Sequence, residues 1–202
     1  SNNSEYNIAI DAMKKRCAWC GDDPLYIAYH DTEWGIPKRD DRTLFEFLVL
    51  EGAQAGLSWI TILRKRNGYR ELFDHFDAER VAHYSDAELD ERLQNPKIVR
   101  NRLKVYSARK NARAFLDVQR EWGSFSAYIW DFVDGQAIQN NWSSMRDVPP
   151  TSDISNQLSK DMKKRGFTFV GPIIMYAYMQ ATGMVNDHTK DCFRHTECLD
   201  MT

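Results

Sequence analysis

Long apolar runs are missing from this chain of 202 residues. No stretch of about 18 consecutive apolar side chains occurs, which excludes a hydrophobic membrane-spanning helix and any membrane partner of that kind. No secretory pattern opens the sequence, so the expected compartment is the cytoplasm, where thiols stay reduced. Cysteine is scarce, four residues in all, and in a reducing compartment a disulfide framework is the weaker reading. A net excess of charge is also missing. The formal balance is -2 with a pI near 6.2, so the composition carries no global attraction for a polyanion. Strand alternation is absent over any long stretch, and there are no repeats or low-complexity segments. What remains is a globular composition, 43% hydrophobic and 12% aromatic, in a chain long enough for one good core.

The helical period dominates, and the chain reads as all-α. Asp40-Asp41 can cap a helix beginning near Thr43, with Leu44, Phe45, Leu48 and Val49 on its buried side. Ser85-x-x-Glu88 forms a capping box ahead of Leu89 and Leu93, and Asn95-Pro96 ends that helix. A long basic amphipathic helix then runs to Gly123. Ser124 or Ser126 opens a short helix through Phe132, residues 134–150 read as loop, and Ser152 or Ser155 caps a helix reaching Gly166.

Two cysteine–histidine pairs lie near opposite ends of the chain: Cys17 with His30, and His188 with Cys192. A His-x3-Cys spacing on a helix or helix end puts both side chains on one face. Two thiolates and two imidazoles form a closed structural set for zinc, which would tie the termini together. Cys20, Cys198 and His195 are further donors, and Cys17-x2-Cys20 is itself a metal-like spacing.

Charge is unevenly spread. Lys97, Arg100, Arg102, Lys104, Arg109, Lys110 and Arg113 occur with no acid among them, and Arg64-Lys65-Arg66 and Lys163-Lys164-Arg165 form two more clusters. Each reads as a phosphate contact or as a solvated helix face. The last cluster precedes Gly166-Phe167-Thr168-Phe169-Val170-Gly171-Pro172. A helix ending at Gly166, a tight link, and a helix opened by Gly171-Pro172 make a helical hairpin. Its free backbone N–H groups form a ready phosphate site.

The segment Leu50-Glu51-Gly52-Ala53-Gln54-Ala55-Gly56-Leu57-Ser58-Trp59 sets a glutamate in an apolar helical neighbourhood. Burying a carboxylate is costly unless it is paired or bound to something. With Trp19, Tyr26, Tyr29 and Trp34 crowding the earlier segment, such a group suits a flat, hydrogen-bonding, cationic ligand. A structural ion pair is the plainer alternative.

Together these segments closely resemble the bacterial 3-methyladenine DNA glycosylase I family. The resemblance rests on Cys17-Ala18-Trp19, Asp23-Pro24-Leu25-Tyr26-Ile27-Ala28-Tyr29-His30-Asp31, Glu33-Trp34-Gly35, Leu50-Glu51-Gly52 and Gln54 to Thr61. It continues through Lys163 to Phe167, Phe169-Val170-Gly171 and Val185-Asn186-Asp187-His188 with Cys192, and spans about residues 16 to 192. It implies a helix-hairpin-helix glycosylase fold, with residues 15–195 as one catalytic domain of two helical lobes around the base pocket. Residues 1–14 would be a poorly ordered leader and 196–202 a tail. It implies one structural zinc per chain on Cys17, His30, His188 and Cys192, and departs from the family at Cys20, where an aliphatic residue is usual.

The implied activity is hydrolysis of the N-glycosidic bond of 3-methyladenine in alkylated double-stranded DNA, by a monomer that releases free 3-methyladenine without cutting the strand. Glu51 and Tyr29 match the catalytic and base-recognition positions, Trp59 a base-recognition position, with Trp19, Tyr26 and Trp34 beside them. Leu57, beside Gly56, matches the intercalating position, and Lys163, Lys164, Gly166 and Gly171 the DNA-backbone contact. Asp187 lies roughly where wider relatives carry a water-activating aspartate, but its neighbour His188 is assigned to zinc. Two other classes compete: a metal phosphohydrolase, from the His30-Asp31 pair, and a non-catalytic DNA-binding module stapled by zinc.

Overall fold

Asp40 and Asp41 divide two jobs at the start of the central helix. Asp40 caps it, accepting from the Thr43 amide at 2.9 Å. Asp41 reaches across the core instead, accepting from the Phe125 and Ser126 amides at 2.9 and 2.8 Å and from the Gln119 side chain. The computed structural model describes residues 13–201. From Pro24 onward its α-helices begin with α1 (Pro24–Thr32), α2 (Asp41–Gln54), α3 (Trp59–Leu72), α4 (Ala78–Ala82), α5 (Asp86–Leu93) and α6 (Arg102–Trp122). Helix α7 (Phe125–Asp131), strand β1 (Ile138–Gln139), helices α8 (Asp153–Lys164) and α9 (Pro172–Ala181), strand β2 (Val185–Asn186) and helix α10 (Phe193–Leu199) follow.

Helix α2 is buried on every side from Leu44 to Ala53, and this all-round burial forces Glu51 into the interior. Around it lies one contiguous core. Helix α6 packs Val105, Ala108, Ala112, Phe115 and Val118 inward at helical spacing. It ends where Gly123 adopts the left-handed conformation, φ 83°. Ser124, not Ser126, caps α7, and Ser152 caps α8. No described helix is long and apolar enough to cross a membrane.

Helices α8 and α9 form the expected hairpin, with Gly166 at φ 93° and Pro172 at the first position of α9. Buried Asn111 of α6 clamps the link between them: its Nδ2 donates to the Thr168 carbonyl at 2.9 Å and its Oδ1 accepts from the Thr168 amide at 2.8 Å.

Two readings need correction. The chain is mostly helical rather than all-α, because Ile138 and Gln139 pair in parallel with Val185 and Asn186. Two-residue strands leave no alternation to detect. His188 and Cys192 do not share a helix face. Residues 187–192 are irregular, Cys192 is the cap residue before α10, and a turn bond from its amide to the Thr189 carbonyl brings the pair together. The segment expected as a tail begins inside α10, where Cys198 is buried. The expected leader falls outside the described residues except for residues 13 and 14.

The loop after α1 is pinned against the segment after α9. Lys38 donates to the carbonyls of Glu33, Ile36 and Ala181. A Cβ on Gly183, at φ +73°, would lie 2.2 Å from the Ile36 carbonyl carbon and 2.3 Å from the Pro37 nitrogen. Gly183→Ala is therefore expected to cost about 3 kcal/mol, from left-handed strain plus a backbone clash. Thermal unfolding should show a fall of roughly 6–12 °C; an unchanged midpoint would mean the loop yields freely.

Candidate active site

Residues from the two ends of the described chain meet in a buried knot. The Cys17 sulfur lies 3.4 Å from His188 Nδ1, and the Cys192 sulfur lies 3.4 Å from His30 Nε2 and 3.5 Å from His188 Nδ1. All four donor atoms fall within 4.8 Å of one another, and all four residues are buried. Ligands at thiolate and imidazole bond lengths on a tetrahedral ion are about 3.3–3.8 Å apart, so this cluster could hold a metal. The histidines are already oriented for it. His30 Nδ1 faces the Asp31 carboxylate at 2.8 Å and His188 Nε2 faces the Trp34 carbonyl at 2.8 Å. Both partners only accept, so each ring donates there and leaves its other nitrogen free to ligate. Asp31 is itself held by a forked contact with Arg16. Hydrogen bonding with Cys17 holds the Cys192 thiol far below its usual range, with His188 and His30 adding to the effect.

The competing donors stand apart. The Cys20 thiol donates to the Cys17 carbonyl at 3.2 Å, and His195 Nε2 bonds the Asn140 carbonyl at 2.8 Å. Asp31 orients His30 and does not face the cluster as a ligand, and no second aspartate joins the set. The phosphohydrolase arrangement is therefore not built.

Next to this knot is a cavity of about 220 Å³ lined by Trp19, Tyr26, Tyr29, Trp34, Glu51 and Trp59, all anticipated from the sequence. Gln54, Met145, Ala177 and Gln180 complete it. Gln54 was visible beside Glu51 but had no assigned role. Met145, Ala177 and Gln180 come from distant segments with no motif of their own. The volume is below the roughly 300–1,000 Å³ of drug-sized sites and suits one heterocycle. Trp19 packs edge-on against Tyr26 and Trp34, each at 5.0 Å, and Trp59 lies nearly parallel to Phe47.

Polar atoms in this cavity lack protein partners. Among the described residues six buried side-chain polar atoms have none, and four are Trp19 Nε1, Tyr29 OH, Glu51 Oε2 and Trp59 Nε1. Natural interiors leave few such atoms unpaired, so their concentration here points to a ligand with a polar rim. Burial alone pushes Glu51 up to about 8. Burial first, and then the Glu51 charge, holds the Tyr29 hydroxyl well above its usual range. The plainer reading of Glu51 as an ion-pair member is excluded among the described residues, since the pairs nearby use Glu33 and Glu46 with Arg66.

The cysteine–histidine knot and the cavity share backbone. Tyr29 lines the cavity while His30 enters the knot, and Trp34 lines the cavity while its carbonyl orients His188.

At the rim, Gly56 turns with φ 80° and leaves Leu57 40% exposed. Lys104 donates to the carbonyls of Ala53 and Ala55 and anchors this turn. Lys104 thus serves structure, as do most of its charged neighbours: Lys97 pairs with Glu71, Arg102 with Asp90 and Arg109 with Asp86, while Arg113 donates to the Ala82 carbonyl. Arg64 and Arg66 are likewise paired, with Asp23 and with Glu33 and Glu46. The sequence showed no acid within the 97–113 run because its partners come from other helices. Lys163 and Lys164 are exposed beside the hairpin and form no ion pair among the described residues, while Arg165 is tied to Glu121 and Asp161.

Fold and cavity together define a class: a mostly helical protein that sets aromatic side chains and one unpaired carboxylate around a cavity of the size of one heterocycle. The methyladenine glycosylase family model matches residues 19–195, and the chain belongs to that family. A DNA-3-methyladenine glycosylase of Haemophilus influenzae is 46% identical over 180 residues, 89% of this chain and 97% of that protein. DNA-3-methyladenine glycosylase 1 of Escherichia coli is 45% identical over 178 residues, 88% and 95% of the two chains. A crystal structure of 3-methyladenine DNA glycosylase I superposes with a TM-score of 0.88 at 49% identity, covering 90% of this chain and 100% of that one. The Staphylococcus aureus enzyme, solved to explain 3-methyladenine recognition, superposes at 0.86 with 38% identity over 88% and 95% of the chains.

Proposed function

We infer that this chain is a base-excision repair glycosylase that hydrolyses the N-glycosidic bond of 3-methyladenine in alkylated double-stranded DNA. The observation that carries this is the unpartnered Glu51 carboxyl inside an aromatic cavity sized for one base. A base within a duplex cannot reach such a cavity, so the nucleotide leaves the stack. N3-alkylated adenine in DNA is cationic. Glu51 complements that charge, while Tyr29 and Trp59 enclose the ring, with Trp19, Tyr26 and Trp34 as its outer walls. Breaking the glycosidic bond sends its electron pair to the base and neutralises it. Water oxygen joins C1′, and the water proton passes to solvent. Strong acid assistance is not needed for so good a leaving group. Electrostatic fit and orientation carry the selectivity.

Among the described residues no lysine lines the cavity, which supports hydrolysis without a Schiff base or strand cleavage. Asp187 does not line it either, and its carboxylate is occupied by Asn140, Trp142, Tyr176 and Gln180.

The metal assigned to Cys17, His30, His188 and Cys192 is zinc, one per chain. Its four protein donors leave no open position, so it supplies structural cross-linking and no chemical step. The α8–α9 unit is the helix-hairpin-helix element, with Gly166, Gly171, Lys163 and Lys164 against the phosphate backbone. Leu57, presented by Gly56, fills the gap left by the flipped nucleotide.

The test is release of free base from methylated duplex DNA. 3-Methyladenine should appear while strands stay intact until alkali cleaves the abasic sites. Strand nicking, or binding without base release, would overturn the reading. Replacing Lys163 and Lys164 together with Gln should weaken binding to damaged and undamaged duplex alike. The slope of log affinity against log salt should flatten by up to about 1.8; an unchanged slope would make the pair a solvated face.

A further inference from the structure

Gln180 lies on α9, and its side chain borders both the base cavity and a buried carboxylate. That carboxylate belongs to Asp187, which is fully buried and holds four donors. Its Oδ1 accepts from Asn140 Nδ2 and Trp142 Nε1, each at 2.8 Å. Its Oδ2 accepts from the Tyr176 hydroxyl at 2.5 Å and from Gln180 Nε2 at 2.9 Å. An ionised carboxylate only accepts. The Gln180 amide is therefore fixed with its nitrogen toward Asp187, since the flipped amide would set two oxygens against each other. What Gln180 has left for the cavity is Oε1, which has no protein donor among the described residues.

We propose that Gln180, locked by Asp187, is a specificity residue whose carboxamide oxygen accepts from the exocyclic amine of the bound base. The proposal rests on the glycosylase reading above and extends it. Glu51 complements charge, and Gln180 reads the 6-position. An amino group there presents N–H donors to a fixed acceptor. An oxo group presents lone pairs to the same oxygen, and neither side can adjust: the amide does not titrate, and turning it breaks the bond to Asp187. Sites built around one hydrogen-bonding pattern reject the wrong pattern strongly, because a buried polar group is left unpaired. The cavity should therefore prefer 3-methylated 6-aminopurines over 6-oxopurines such as 3-methylguanine and 3-methylhypoxanthine.

The experiment compares native protein with Gln180→Met, which keeps length and removes the acceptor, against two free bases by calorimetry. The bases are 3-methyladenine and 3-methylpurine, which lacks the amine. The variant should bind 3-methyladenine about tenfold more weakly and 3-methylpurine with unchanged affinity. Equal loss for both bases would overturn the proposal and reduce Gln180 to a packing residue. Failure of the native protein to bind 3-methyladenine at all would instead overturn the glycosylase reading. If the variant does not fold, the native protein carries the test through the carboxamide carbon resonance of Gln180. It should shift on adding 3-methyladenine and stay put with 3-methylpurine; equal shifts would sink the assignment.

Discussion

Glu51→Gln is expected to weaken binding of free 3-methyladenine at least tenfold, about 1.4 kcal/mol, and to slow excision further, because excision draws on the charge as well. The substitution keeps the size of the side chain and removes its ability to become an anion. In the free protein the carboxyl has no partner, and burial pushes it up to about 8. The cationic nucleotide of alkylated DNA, unlike the neutral free base, supplies the missing counter-charge, so binding of alkylated duplex below pH 8 should release a proton. That proton release, read by calorimetry in buffers of different ionisation heat, should vanish in the Gln variant. Leu57→Ala provides the contrast. Leu57 is exposed at the rim and does not line the cavity, so its loss should spare free-base affinity and depress excision from duplex DNA. The opposite pattern, with Leu57 governing base affinity and Glu51 indifferent, would mean that the pocket has been assigned wrongly.

The same carboxyl gives stability a pH dependence of definite sign. Below about pH 4 it is protonated in both folded and unfolded chains and contributes nothing. Between its ordinary value of 4.5 and its folded value of about 8, the unfolded chain releases the proton and the folded chain keeps it. Stability is therefore lost as pH rises through this window, on the order of 5 kcal/mol in total. Above pH 8 the penalty is constant. Glu51→Gln lacks this slope, so the variant should match the native protein near pH 4 and exceed it near pH 8.

The pocket was legible in the sequence because its walls come from two short segments, residues 19–34 and 51–59, where aromatic side chains crowd one glutamate. Gln180 and Met145 were not, because the approach of α9 and of the 145–147 turn to that pocket is a long-range packing outcome. Local periodicity cannot carry it. The basic run from 97 to 113 shows the opposite failure. Its sequence reads as a charged surface, yet Asp86, Asp90 and Glu71 pair with three of its cations from neighbouring helices. Only a fold reveals which cations remain unpaired, and among the described residues the Lys163–Lys164 pair does. The left-handed turn at Asp74, His75 and Phe76 also had no sequence signal, since none of these residues is glycine.

Cys192→Ser is expected to have the largest effect on stability. The knot joins Cys17 and His30 to His188 and Cys192 across more than 160 residues, so it closes a long loop as well as two local ones. A serine hydroxyl is a poor ligand for a soft-donor site and leaves two oriented histidines and a thiol facing a gap. Binding free energy of a structural metal is folding free energy. A loss of several kcal/mol should lower the unfolding midpoint by roughly 10–15 °C, and metal analysis should fall from one zinc per chain toward none. The loss should reach the pocket through Trp34 and Tyr29, weakening affinity for all bases by a similar factor. Preference for 3-methyladenine over unmethylated adenine should survive, because Glu51 and Trp59 stand on α2 and α3, outside the knot. Chelation of the native protein should reproduce the shift, and added zinc should reverse it. A midpoint unmoved by both the substitution and chelation would show that packing alone closes the chain, and that the four residues hold no structural metal.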